Sequence, residues 1–101
     1  MNIGIIGGQI KDYPLLDHKL NELIEIKGTY LFNIICGPGS LGELWGKNNG
    51  SGIQYFLGDF DNFIKKLDFA IVFQDKNIQF NPVVKKLTNA NVSGTVIIRN
   101  E

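Results

Sequence analysis

Gly37-Pro38-Gly39-Ser40-Leu41-Gly42-Glu43 is the stretch whose residue types and spacing could do chemistry. It follows an apolar run over residues 31–36, and Ser40 opens what reads as a short helix. A buried strand ending in glycines at a helix start gathers bare backbone N–H groups at the positive end of a helix dipole. Such a corner attracts phosphate or another anion. In that reading the glycines admit a phosphate close to the backbone, Ser40 donates to it, and Glu43 meets a sugar hydroxyl or works as an acid or base. A second reading needs no ligand. Ser40 and Glu43 form S-x-x-E, a capping box worth about 1 kcal/mol. For Ser40 the two readings coexist, because its backbone N–H can still face an anion. For Glu43 they compete, since a carboxylate folded back onto its own cap is poorly placed for chemistry.

Two other stretches could join this corner. Gly7-Gly8-Gln9 closes an apolar run and could bring backbone amides and a glutamine side chain to a ligand; it could equally be a plain strand-to-loop turn. Gln74-Asp75 directly follows the apolar run over residues 69–73, and Asp75 could hold a ribose or serve as a general base. A turn through Asp75-Lys76-Asn77 explains the same residues. Trp45 reads as core rather than a stacking platform for a base, and Tyr13 as either a purine stacker or a cover for the core edge. Gly4 to Gly8 is not G-x-G-x-x-G, and no acidic residue ends the second strand, so the dinucleotide fingerprint is absent.

Composition narrows the classes. Ten basic and ten acidic residues balance, which gives no electrostatic case for nucleic acid or an anionic membrane as partner. No apolar run approaches the ~18–20 residues that span a bilayer, and the start lacks the form of a signal peptide. The single Cys36 cannot form an internal disulfide, as suits a reducing cytoplasm, and at the end of an apolar run it reads as a buried, inert thiol. With one histidine, His18, and one cysteine, neither a metal site nor a resident cofactor is expected.

Stepping along the chain, strands are expected at residues 3–7, 31–36, 53–57, 69–73 and 95–98, the last after a turn at Ser93-Gly94. Helices are expected from Pro14 to Gly28, from Ser40 to about Lys47, around Phe60, Phe63, Ile64 and Leu67, and from Asn81-Pro82 through Leu87. Strand and helix thus alternate over 101 residues with no repeat and no linker, so a single domain is expected over 1–101. Its fold class is α/β: a Rossmann-like three-layer domain around a five-stranded parallel sheet, most simply in order 3-2-1-4-5. Ligands in that architecture sit outside the carboxyl ends of strands where the order changes direction. There Gly7, Gly8, Gln9, Gly37, Pro38, Gly39, Ser40, Gln74 and Asp75 would share one rim.

At the level of pattern, most of the chain resembles the SLOG superfamily, which includes YspA-type domains and the LOG ("lysine decarboxylase-like") nucleotide phosphoribohydrolases. The resemblance rests on Ile5-Ile6-Gly7-Gly8, on the second strand running into its glycine corner, on Leu41-Gly42-Glu43, and on the strand that closes on Asp75. Gly37-Pro38-Gly39-Ser40-Leu41-Gly42-Glu43 echoes the LOG signature P-G-G-x-G-T-x-x-E, with Ser for Thr and Cys36 where Gly is usual. The resemblance implies a nucleotide or nucleotide-derived ligand, such as an ADP-ribose-like molecule. LOG enzymes also use an arginine and a separate glycine-rich loop, whereas the arginine here, Arg99, lies near the C-terminus. The expectation is therefore a binding module, a sensor or a sequestering protein of the kind a phage would use against host defence. The alternatives are a nucleoside 5′-monophosphate phosphoribohydrolase with Glu43 as its catalytic carboxylate, or a protein-interaction domain with an empty rim. The phenylalanines and two free sheet edges suggest a homodimer.

Overall fold

The computed structural model describes residues 1–28, 32–56, 58, 60–76 and 81–99. Along the chain run β1 (Asn2–Ile6), α1 (Tyr13–Lys27), β2 (Asn33–Cys36), α2 (Leu41–Asn49), β3 (Gly52–Tyr55), α3 (Phe60–Lys65), β4 (Phe69–Asp75), α4 (Pro82–Asn89) and β5 (Ser93–Arg99). The five strands form one all-parallel sheet in order β3-β2-β1-β4-β5, the order expected of a Rossmann-like domain.

Strand residues alternate between faces, and the two faces build separate cores. Ile3, Ile5, Ile34, Cys36, Ile71 and Phe73 pack against Leu16, Leu20 and Leu23 of α1 and Leu41 and Trp45 of α2. Ile35, Ala70 and Val72 point the other way, onto Phe63 and Ile64 of α3, Leu67 behind it, and Leu87 of α4. Strands buried on both faces must be apolar nearly throughout, which is why β1, β2 and β4 read as continuous runs.

Local chemistry sets the helix ends. Pro14 sits in the first turn of α1, and Gly28, at φ +66°, donates its N–H to the Ile24 carbonyl to close it. Asn81 caps α4, its Oδ1 accepting from Val83 N–H at 3.0 Å and Val84 N–H at 3.4 Å, with Pro82 next in line.

Several boundaries differ from expectation. Ser93-Gly94 is not a turn but the start of β5. Asn91 turns the chain instead, adopting φ +58°, and Val92 N–H returns to the Leu87 carbonyl at 3.0 Å. Asparagine tolerates the left-handed region and here does the work that a glycine signal was expected to mark. Gln74 and Asp75 belong to β4 rather than to a loop after it, because each finds a partner in the longer β5: Gln74 opposite Ile98, Asp75 opposite Arg99. A short 3-10 turn, Ile10–Asp12, leads from the loop after β1 into α1. Leu31, Leu57 and Asn77 lie outside the described residues. Among those described, no helix is long and apolar enough to cross a membrane.

Candidate functional site

The loop after β2 is built by the residues that drew attention in the sequence. Ser40 N–H bonds the Gly37 carbonyl at 3.3 Å, with Pro38 and Gly39 between them and Gly39 at φ +72°. Proline followed by a left-handed glycine is the chemistry of a type II turn. Ser40 then caps α2, its Oγ accepting from Glu43 N–H at 3.4 Å. One arm of the S-x-x-E box is therefore formed. The other is displaced by one residue: Ser40 N–H is occupied in closing the turn, and the Glu43 carboxylate takes the Gly39 N–H instead. The Ser40 backbone N–H consequently points at the turn and not at an incoming anion. In the first turn of α2 the N–H groups of Leu41 and Gly42 have no acceptor among the described residues.

Between this corner and the loop after β1 lies a cleft of about 390 Å³. Gly8, Gln9 and Ile10 form one wall; Gly39, Ser40, Leu41, Glu43, Leu44 and Lys47 form the other. Of the residues expected at the rim, Gly8, Gln9, Gly39 and Ser40 thus meet on one cleft, joined by Glu43, the candidate catalytic carboxylate. Gly7, Gly37 and Pro38 stand beside it in the same two loops without lining it. Gln74 and Asp75 are not on its wall. Gln74 instead accepts from Asn81 Nδ2 at 3.1 Å, which ties the end of β4 to the start of α4.

Packing and hydrogen bonds hold both walls. A side chain at Gly8 would lie 2.8 Å from Leu41 Cδ2 and 3.1 Å from the Phe73 ring, so the loop after β1 rests directly on α2 and β4. Asp12 is buried, and its carboxylate accepts from Gln9 N–H at 2.8 Å while Asp12 N–H returns to the Gln9 carbonyl at 2.8 Å. We expect Asp12→Ala to cost about 1–3 kcal/mol, the usual penalty for breaking a buried hydrogen bond to a charged group. Urea unfolding followed by circular dichroism reads it, and Gln9 should lose hydrogen-exchange protection first.

The electrostatics of the cleft centre on Glu43, whose side chain is 17% exposed. The Tyr55 hydroxyl beside it holds its carboxyl below the usual carboxylate range, helped by Lys47 and by the Gly39 N–H. Lys47 Nζ lies 3.4 Å from Glu43 Oε1. The same contact pushes the Tyr55 phenol up, so Tyr55 stays protonated and donates. Because the folded carboxyl ionises more readily than the unfolded one, the stability that it contributes is complete above the unfolded value and disappears as pH falls through the folded one. The stability difference between the native chain and Glu43→Gln should therefore be constant near neutrality and shrink below about pH 5, where an unfolded glutamate begins to take up its proton. Denaturant midpoints at a series of pH values measure it; a difference that does not shrink would mean that Glu43 has no such partners.

Tyr55, Ile10, Leu44 and Lys47 were not singled out in the sequence. Tyr55 reaches the site because β3 pairs with β2 in the register that places it beside Cys36. The carboxyl end of a strand flanking the glycine corner was the signal for it. Ile10, 78% exposed, and Leu44 give the cleft an apolar side. Cys36 is buried, and that burial pushes its thiol up; the Ser40 hydroxyl hydrogen-bonds it. Trp45 belongs to the core, and Tyr13 covers the core edge with its hydroxyl accepting from Asn48 at 3.3 Å and Asn49 at 3.4 Å. No protein-family model matches the chain, and no curated protein or solved structure does so.

Proposed function

We propose that the cleft binds a nucleotide-derived small molecule and holds it without turnover. The observation that carries this reading is the open first turn of α2, whose Leu41 and Gly42 N–H groups are unclaimed among the described residues, with Leu41 lining a cleft large enough for a small molecule and Gly42 next to it in the chain. A phosphate on those amides leaves Glu43 to accept from sugar hydroxyls and sets Ile10 and Leu44 against an apolar face such as a base. The resemblance to SLOG domains points the same way, and binding without reaction is what a sensor or a sequestering protein requires.

The test is a thermal-shift and calorimetry series with nucleoside monophosphates and ADP-ribose. A ligand at 100 times its Kd adds about 2.7 kcal/mol to the folded state, several degrees for a chain of this length. Absence of any shift would leave a rim without a nucleotide and favour a protein-interaction domain.

One observation favours a second reading: Glu43 lines the wall of the cleft, its carboxyl held below the usual carboxylate range by the Tyr55 hydroxyl. Such a group stabilises an oxocarbenium-like ribose or activates water, as N-glycosidic hydrolysis of a nucleoside monophosphate needs. Release of free base that Glu43→Gln abolishes would establish it; saturable binding with no base released would establish the first.

A further inference from the structure

The far edge of the sheet shows a second feature that the cleft does not use. β5 pairs with β4 alone among the described residues, so its outer row of N–H and C=O groups is open. Open edges are ordinarily blunted by lysine, proline or an inward charge. Residues 93–98, Ser-Gly-Thr-Val-Ile-Ile, contain none of these and are rich in the β-branched types that favour pairing. Val96 and Ile98 lie on the same face of the strand and remain 39% and 55% exposed. On that face, between α4 and the edge, runs an apolar groove of about 90 Å³ bordered by Val84, Leu87, Gly94 and Val96. That is roughly the space of three liquid waters, enough for one aliphatic side chain.

We propose that a second copy of this chain pairs with β5 across this edge, antiparallel about a two-fold axis at Val96, to give a continuous ten-stranded sheet. Antiparallel pairing about that axis sets Val96 opposite Val96 of the second copy and Gly94 opposite its Ile98. The isoleucine of each copy then stands over the position where the other has no side chain, and reaches the apolar groove beside it. The charges fit as well. No charged side chain lies within 93–98, so the paired segments set no charge against a like charge. A foreign strand would have to supply both an uncharged edge and a side chain over Gly94; a second copy has both by symmetry.

Sedimentation velocity of the full chain, together with Val96→Cys and Ile98→Cys compared under mild oxidation, tests this. The axis places the two Val96 Cα atoms about 4.5–5.5 Å apart, within disulfide range. The two Ile98 positions are separated by four residues of ladder, about 13 Å, and cannot be bridged. We expect a dimer, rapid covalent dimerisation of Val96→Cys, and none of Ile98→Cys. Cys36 is buried and does not interfere. A monomer at about 100 µM, or equal cross-linking at both positions, or cross-linking at neither, would overturn the proposal. Should a cysteine variant fail to fold by circular dichroism, Ile98→Lys decides: a folded monomer supports the edge, a folded dimer overturns it.

Discussion

Replacing Trp45 with alanine should remove about 3–5 kcal/mol of stability, the range for truncating a large buried aromatic. Against the 5–15 kcal/mol that holds a typical domain folded, this leaves little. The indole is 2% exposed and lies in the cluster that joins α1, α2 and the sheet. Its Nε1 donates to Asp17 Oδ1 at 3.0 Å, so the ring both fills the space between the two helices and ties them together. Trp45→Phe separates the two effects. It keeps most of the volume and loses one hydrogen bond to a charged acceptor, a smaller cost of about 1.5–3 kcal/mol. Circular dichroism melts distinguish the variants. A Trp45→Ala variant that melts like the native chain would mean that the ring is a surface platform, and would return it to consideration as a base-stacking residue.

What could be read from the amino acids divides along a physical line. The strand cores at Ile3, Ile34 and Ala70-Ile71-Val72 were legible because burial on both faces leaves no choice of residue type, and right-handed crossovers then restrict the strand order to very few possibilities. The helix starts at Pro14, Ser40 and Pro82 were legible because caps are local. Register was not local. Whether Gln74 and Asp75 leave the sheet depends on how far β5 extends beside them, and nothing in Phe-Gln-Asp states the length of a strand that begins at Ser93. The placement of Tyr55 against Glu43 likewise follows from pairing of β3 with β2. The turn at Asn91 was missed because asparagine enters the left-handed region without announcing it as glycine does. At the site, Pro38-Gly39 and Ser40 were read as a ligand corner and as a cap. Both the turn and the cap are there, and they move the open amides one step along the chain, from Ser40 to Leu41 and Gly42.

Gly42 links the fold to that corner, and substituting it should damage both at once. A Cβ at this position would stand 2.8 Å from Ile5 Cβ and 3.0 Å from Cys36 Cβ. Those atoms belong to the backbone frames of β1 and β2, so no rotamer change can move them aside; the helix itself must lift from the sheet. Forcing even one methyl into a well-packed contact of this kind costs about 1–3 kcal/mol, and Gly42→Val should exceed Gly42→Ala because its two further methyls press on the same two strands. Because Leu41 and Gly42 contribute the open amides, lifting α2 also displaces them relative to Gln9 on the facing wall. Any nucleotide that stabilises the native chain should therefore bind the alanine variant at least tenfold more weakly, about 1.4 kcal/mol, under conditions where the variant is still folded. Gly37→Ala is the control: its Cβ would meet nothing within 4 Å, and its backbone is not left-handed. We expect its stability to match the native chain to within about 0.5 kcal/mol. If Gly42→Ala proved as neutral as Gly37→Ala, the contact between α2 and the two central strands would be loose, and the proposed anion site would lose the rigid support it requires.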